Sequence, residues 1–219
     1  MKHSWFSRHP ICFMALYLLF YLSAFNFLET RISMPHLVLV HCRLDDLIPF
    51  CKYAVIPYFA WFVWIPFTLF YLLLRAPRED FWRLCMPLFS GMTIFLIICT
   101  VFPNGLNLRP EVFTHDNFCI ELVKRIYQTD TPTNVLPSLH VYNSICCYIA
   151  ISHCEKLQHS RLIQKGSLVL SILIILSTMF LKQHSVVDVV AACVMAYFMY
   201  SLIYAQEGAK SPRLARHVI

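Results

Sequence analysis

Charge and glycine are what this chain has least of. Only 14% of its 219 residues are Asp, Glu, Lys or Arg and only four are Gly, whereas 58% are hydrophobic and the mean hydropathy is +0.61. Soluble domains of this length do not have that balance. Four glycines are also too few for a transporter built on glycine-broken helix pairs around a central substrate site. No internal repeat, low-complexity tract, CxxC pair or Cys–His metal spacing is present. Seven of the ten cysteines (Cys12, Cys85, Cys99, Cys146, Cys147, Cys154 and Cys193) fall inside or at the ends of apolar runs, so they read as small buried hydrophobes. Nothing in the net charge of +6 resembles a basic recognition motif, which excludes a nucleic-acid partner.

What is there is a series of apolar runs. Residues 11–28, 53–74, 84–102 and 166–181 contain no Asp, Glu, Lys or Arg. Two further runs are less pure: 137–154 holds His140 and His153, and 185–204 holds Asp188. A spanning helix takes about 20 mostly apolar residues. The reading is therefore all-α, an integral membrane bundle of six transmembrane helices forming a single domain over residues 1–219. The first run is long for the apolar part of a signal peptide and no small-x-small cleavage site follows it, so it is read as a retained helix.

Loop charge orients the bundle. Lys2, Arg8, Arg75, Arg78, Arg83, Lys156, Arg161, Lys165, Lys210, Arg213 and Arg216 lie on the amino-terminal side, 11 of the 18 basic residues. By the positive-inside rule both termini are cytoplasmic, and the expected location is the cell membrane, multi-pass. Residues 29–52, 103–136 and the short turn around Lys182 then face the extracytoplasmic side. The first of these contains RLDDLIPF, where Asp45 and Asp46 precede an Ile-Pro turn. In the second, Phe118, Leu122, Val123 and Ile126 recur at helical spacing, as a helix on the membrane surface or a lid over a site. Tyr53, Tyr58, Trp61 and Trp64 read as core and aromatic-belt residues.

Within this apolar chain, LKQHSVVDVVAA carries His184 and, four residues on, Asp188. Ionisable groups at membrane depth are costly and call for a reason. At i and i+4 on one helix face, the carboxylate can accept from an imidazole nitrogen and leave the other nitrogen as the nucleophile. Taken alone, the pair fits catalysis, a structural hydrogen bond or a proton relay. NVLPSLHVYNS supplies more: Pro137 suits a helix's first turn, and that turn's N–H groups with the Ser138 hydroxyl form an anion site. Protonated His140 can give a proton to a leaving alcohol, and Arg109 offers a planar fork for phosphate oxygens. The topology puts all three segments at the extracytoplasmic face.

Leu108-Arg109-Pro110, Pro137-Ser138-Leu139-His140 and Ser177 through His184 to Asp188 resemble, in order and spacing, the three signature motifs of the phosphatidic acid phosphatase type 2 superfamily. The resemblance covers most of the chain. It implies that His184 is the nucleophile of a phosphohistidine intermediate, His140 the general acid and Asp188 the residue orienting the nucleophile. Arg109 and Ser138 would bind phosphate, with no metal or other cofactor, and the substrate would be a phosphorylated membrane lipid. Two cations of the usual pattern are missing, because Phe102 and Thr178 stand at their positions. Lys182, two residues from His184, is a candidate replacement that would also bind phosphate. A site with fewer cations matches a phosphodiester better than a dianionic monoester. That reduced pattern, with RLDDLIPF and IPYFAW, looks like the inositol-phosphorylceramide and sphingomyelin synthase branch. The expected activity is a lipid phosphatase, with transfer to a lipid alcohol as the alternative. A non-catalytic lipid-binding or proton-coupled membrane protein is the reading from another class.

Overall fold

A computed structural model describes residues 9–31, 37–113 and 117–203. Among them the chain forms eight α-helices: α1 (Pro10–Arg31), α2 (Arg43–Leu47), α3 (Val55–Arg75), α4 (Arg78–Val101), α5 (Phe118–Thr129), α6 (Leu139–His153), α7 (Arg161–Phe180) and α8 (Val186–Ile203). A 3-10 turn, Lys52–Ala54, leads into α3. Two short strands, β1 (Val38–Leu39) and β2 (Asn104–Gly105), pair in parallel.

Among the described residues, five helical segments are long and apolar enough to cross a membrane: Pro10–Thr30, Lys52–Arg75, Arg78–Val101, Arg161–Phe180 and Val186–Ile203. They coincide with five of the six expected runs. Their outward faces carry bare apolar side chains, such as Leu19, Phe67 and Tyr197, each more than 60% exposed. Water does not tolerate such a continuous surface, and lipid does.

The sixth expected span, 137–154, is α6, and it differs from the expectation. Its 15 residues rise only about 22 Å, short of a hydrocarbon core of about 30 Å. It starts after the Ser138 N-cap and stops where Cys154 turns extended. Pro137 lies outside the helix, before that cap. Helix α6 packs against α3, α4, α7 and α8, and most of its side chains are buried. His140, Asn143 and Ser144 sit on it because its neighbours shield them from lipid.

Packing around α6 is tight. Tyr142 is fully buried and donates from its hydroxyl to the Pro87 carbonyl of α4 at 2.6 Å. The ring lies where a side chain at Gly91 would be: an added Cβ would come within 2.1 Å of it. All ten cysteines are free thiols, and only Cys12 and Cys193 are exposed.

At one end of the bundle the connecting segments form a cap. The Gly105 carbonyl accepts from Val40 N–H at 2.8 Å, and Leu106 N–H donates to Pro132 at 2.8 Å. Buried Asn104 accepts from Val135 and Leu136 N–H, each at 2.8 Å. Glu29 of α1 receives Thr133 Oγ1 at 2.9 Å and Asn134 Nδ2 at 2.7 Å. These bonds fix both the approach to α6 and the segment carrying Arg109. Helix α5 closes the cap, but its inner face is Ile120, Val123 and Ile126; Phe118, expected on that face, points outward.

Candidate active site

The three predicted segments meet beneath this cap. His184 lies just ahead of α8, in the turn after α7, and Asp188 lies in the first turn of α8. Their pairing at i and i+4 is thus a contact across a helix start, not along a helix face. His184 Nδ1 is 3.3 Å from Asp188 Oδ2, and that oxygen also accepts Ser185 N–H at 2.9 Å. The Ser185 hydroxyl oxygen accepts Val187 N–H at 3.1 Å. Ser185 and Asp188 therefore cap α8 reciprocally, and S-x-x-D in SVVD was the sequence signal for it. Asp188 is fully buried, and its Oδ1 has no partner.

His140 faces this pair, with ring centroids 5.6 Å apart. It begins α6, whose N-cap Ser138 accepts Val141 N–H at 3.4 Å. Ser138 N–H donates to the Asp188 carbonyl at 3.3 Å, which ties the start of α6 to that of α8. The Ser138 oxygen is engaged as a helix cap, so its hydroxyl hydrogen is what it has to offer a ligand. Tyr58 and Trp61, read from sequence as ordinary core residues, wall His140 with ring centroids at 4.5 and 4.4 Å.

Arg109 reaches the same cluster from the loop after β2. Nη1 donates to the Tyr127 carbonyl at 3.1 Å, and Nη2 donates to the Asp130 carbonyl at 2.6 Å and to Gln183 Oε1. The guanidinium lies over the Tyr127 ring, 4.5 Å from its centre. Nε–H and one Nη1 hydrogen remain for a ligand. Burial pulls the Arg109 pKa down, against the opposing influence of Asp130 and Tyr127. Asp130, which sequence reasoning missed, accepts the Tyr58 hydroxyl at 2.8 Å. Burial pushes its carboxyl up, against that hydrogen bond and the charges of His184 and Arg109.

Lys182, the candidate replacement cation, is turned the other way. It has φ +56°, a left-handed conformation rare for a side chain of this kind, and its ammonium donates to the carbonyls of Asp45 and Ile48. Of the two cations expected at the phosphate, Arg109 reaches the cluster and Lys182 does not. Asp45, also missed, is buried and bonded to the start of α8.

The profile of the PAP2 superfamily matches residues 84–212, more than half of the sequence. The chain belongs to the PAP2 superfamily. Members of that superfamily are phosphatases or phosphotransferases, and the resemblance of the motifs pointed to the same family. No curated protein and no solved structure matches the chain. In this PAP2 protein the match takes in all three motifs and helices α5 to α8, while α1, α2, α3 and RLDDLIPF lie outside it.

Four nitrogens of the cluster are buried and have no hydrogen-bond partner: Trp61 Nε1, Arg109 Nε, His140 Nε2 and Gln183 Nε2. Buried polar groups are almost always paired, and leaving one unpaired costs about 1–3 kcal/mol. Buried donors left unpaired on residues grouped around His140 and His184 are a feature suited to binding an anion. Gln183 had no signal in the sequence beyond its position next to His184.

Proposed function

We propose that this PAP2 protein is a lipid phosphatase that works through a phosphohistidine at His184. The observation that supports this best is the group of unpartnered nitrogens around the facing His140 and His184 rings. With Nδ1–H donated to Asp188, the Nε2 lone pair of His184 attacks phosphorus. A P–N bond forms, the P–O bond to the lipid alcohol breaks, and His140 protonates the departing oxygen. Water then gives a proton to His140, attacks phosphorus and displaces His184, releasing phosphate. Arg109, with Trp61 and Gln183 as neutral donors, holds the non-bridging oxygens while charge develops on them.

The second reading, transfer of a phospho-headgroup from a diester lipid to a lipid alcohol, has its own observation. Lys182 is occupied elsewhere, and the carboxylate of Asp130 stands beside Arg109's acceptors. Such a site suits a monoanionic diester better than a dianionic monoester. The cluster lies at the end of the bundle opposite the basic loops around Arg75, Arg78, Lys156 and Arg161. With that basic end in the cytoplasm, the reaction occurs at the extracytoplasmic surface of the cell membrane.

The test uses the wild type, His184→Ala and His140→Ala purified in detergent. Each receives phosphatidic acid and phosphatidylinositol, with and without diacylglycerol or ceramide. Release of inorganic phosphate from phosphatidic acid, lost in both variants, is the expected result. New phospholipid from phosphatidylinositol only when an acceptor is present would replace the first reading with the second. Turnover of neither lipid, with wild type and variants alike, would overturn both.

A further inference from the structure

We propose that Asp45, outside all three motifs, is a positioning residue for the nucleophile. This rests on the reading of His184 given above. Asp45 lies on α2, 140 positions before Ser185, and is only 2% exposed. The Ser185 hydroxyl donates to its Oδ2 at 2.6 Å, a short charge-assisted bond, and Val186 N–H donates to its Oδ1 at 2.8 Å. Cys42 N–H, from the same turn, adds a third bond at 2.8 Å. Three donors repay the cost of burying the carboxylate, and its charge stands at the positive end of α8.

The consequence falls on one residue. Ser185 gives its backbone hydrogen to Asp188 and its hydroxyl hydrogen to Asp45, so two carboxylates grip the position next to His184 from different sides. The same strip of chain, with Tyr127 of α5, holds the turn before it. Lys182 bonds the carbonyls of Asp45 and Ile48, Cys51 N–H donates to the Phe180 carbonyl at 3.0 Å, and Tyr127 donates to the Leu181 carbonyl at 2.6 Å. His184 itself hangs from the Thr178 carbonyl by its N–H at 3.2 Å. Residues 180 to 186 are therefore fixed both by local bonds to the end of α7 and the start of α8 and by partners from elsewhere in the sequence. Asp45 is the one among these that touches the start of α8 with its side chain. Catalytic groups must be held within about 0.5 Å, and a misplacement of about 1 Å costs on the order of a hundredfold in rate.

A residue that only stabilised the fold would lower the folded fraction and leave turnover per folded molecule alone. A positioning residue lowers kcat at nearly constant KM. The experiment measures both constants on the full chain in detergent, using whichever of phosphatidic acid or phosphatidylinositol the wild type turns over, for Asp45→Asn and Ser185→Ala. Folded fraction is read by gel filtration and thermal unfolding. Asparagine offers one acceptor oxygen to donors that a carboxylate served with two, and its amide would face an N–H.

The expected result for Asp45→Asn is a fall in kcat of roughly 30- to 100-fold per folded molecule, with KM changed less than about threefold. Ser185→Ala should fall less, and the double variant should be no slower than Asp45→Asn alone, since both remove one linkage. A kcat within twofold of wild type in the folded variants would overturn the inference, and Ser185→Ala decides the matter if Asp45→Asn does not fold. Wild type and His184→Ala are also tested for an acid-labile, base-stable phosphoenzyme. Its absence from the wild type would sink the reading of His184 and this inference with it. Its presence, with Asp45→Asn unaffected, would sink this inference alone.

Discussion

Replacing Asp188 by asparagine separates what its charge does from what its hydrogen bonds do. One oxygen, Oδ2, accepts both His184 Nδ1–H and Ser185 N–H, while Oδ1 is buried without a partner. An asparagine that puts its carbonyl oxygen where Oδ2 stands keeps both bonds, and so keeps the proton on Nδ1 and the lone pair on Nε2. Its amide then occupies the place of Oδ1, exchanging one unpaired buried polar atom for another. On the proposed mechanism, what disappears is the negative charge beside an imidazole that becomes cationic as phosphorus is attacked. At an effective dielectric of about 20, unit charges about 4 Å apart interact by about 4 kcal/mol. With part of that charge developed in the transition state, about 3 kcal/mol is lost, roughly a hundredfold in kcat. KM should hardly move, because the lost interaction is one that grows as the P–N bond of the proposed mechanism forms. Asp188→Ala, which removes the bonds as well, should be slower still and lose about 1 kcal/mol more from the helix cap. The assay is initial-rate kinetics in detergent, with thermal unfolding in parallel. Wild-type kcat in a folded Asp188→Asn protein would refute the reasoning, since the charge would then have no role in the step.

Gly91→Ala should be destabilised by about 1–3 kcal/mol or fail to accumulate, because its Cβ has no room beside the Tyr142 ring; thermal unfolding in detergent measures it. Asp130→Asn should raise the ratio of kcat/KM for phosphatidic acid over phosphatidylinositol by about tenfold, since a carboxylate near Arg109 opposes a second negative charge; an unchanged ratio would show that this carboxylate does not select. Lys182→Met should lower the unfolding temperature and leave KM within about twofold, because the ammonium serves carbonyls of the α2 segment; a large rise in KM would return Lys182 to the phosphate. Burial pushes the Asp45 carboxyl up, but the bonds from Ser185, Val186 and Cys42 outweigh it and hold its pKa below the usual value. Its contribution to stability is therefore present above the usual carboxylate pKa of about 4 and lost as pH falls through the depressed value; wild type should lose more stability in acid than Asp45→Asn does.

Helices were legible where lipid, not protein, sets the composition. Residues 11–28, 53–74, 84–102 and 166–181 carry no charged residue and 185–204 only Asp188, and each run coincides with a described helix long enough to span. Residues 137–154 carry His140, Asn143 and Ser144 because they are enclosed by protein. The same polarity that marks a bundle's centre hides the length of its helix. Lipid-facing composition cannot reveal that α6 stops at 15 residues, since its ends are set by a serine cap and a backbone turn.

For the cluster itself, the division follows distance along the chain. His184 and Asp188, or Ser138 and Val141, are partners within one helix start, so spacing reveals them, as it would have revealed the Ser185–Asp188 cap. Asp45, Tyr58 and Asp130 reach their partners across dozens of residues, and spacing carries no trace of that. Lys182 shows the limit from the other side. Two residues from His184, it had the charge and the proximity of a phosphate ligand, yet its left-handed backbone sends the side chain away. Direction at a helix end is decided by φ, and φ there is decided by what waits to be bonded. The carbonyls of Asp45 and Ile48 were waiting, so the apparent replacement cation belongs to the clamp on the turn before His184.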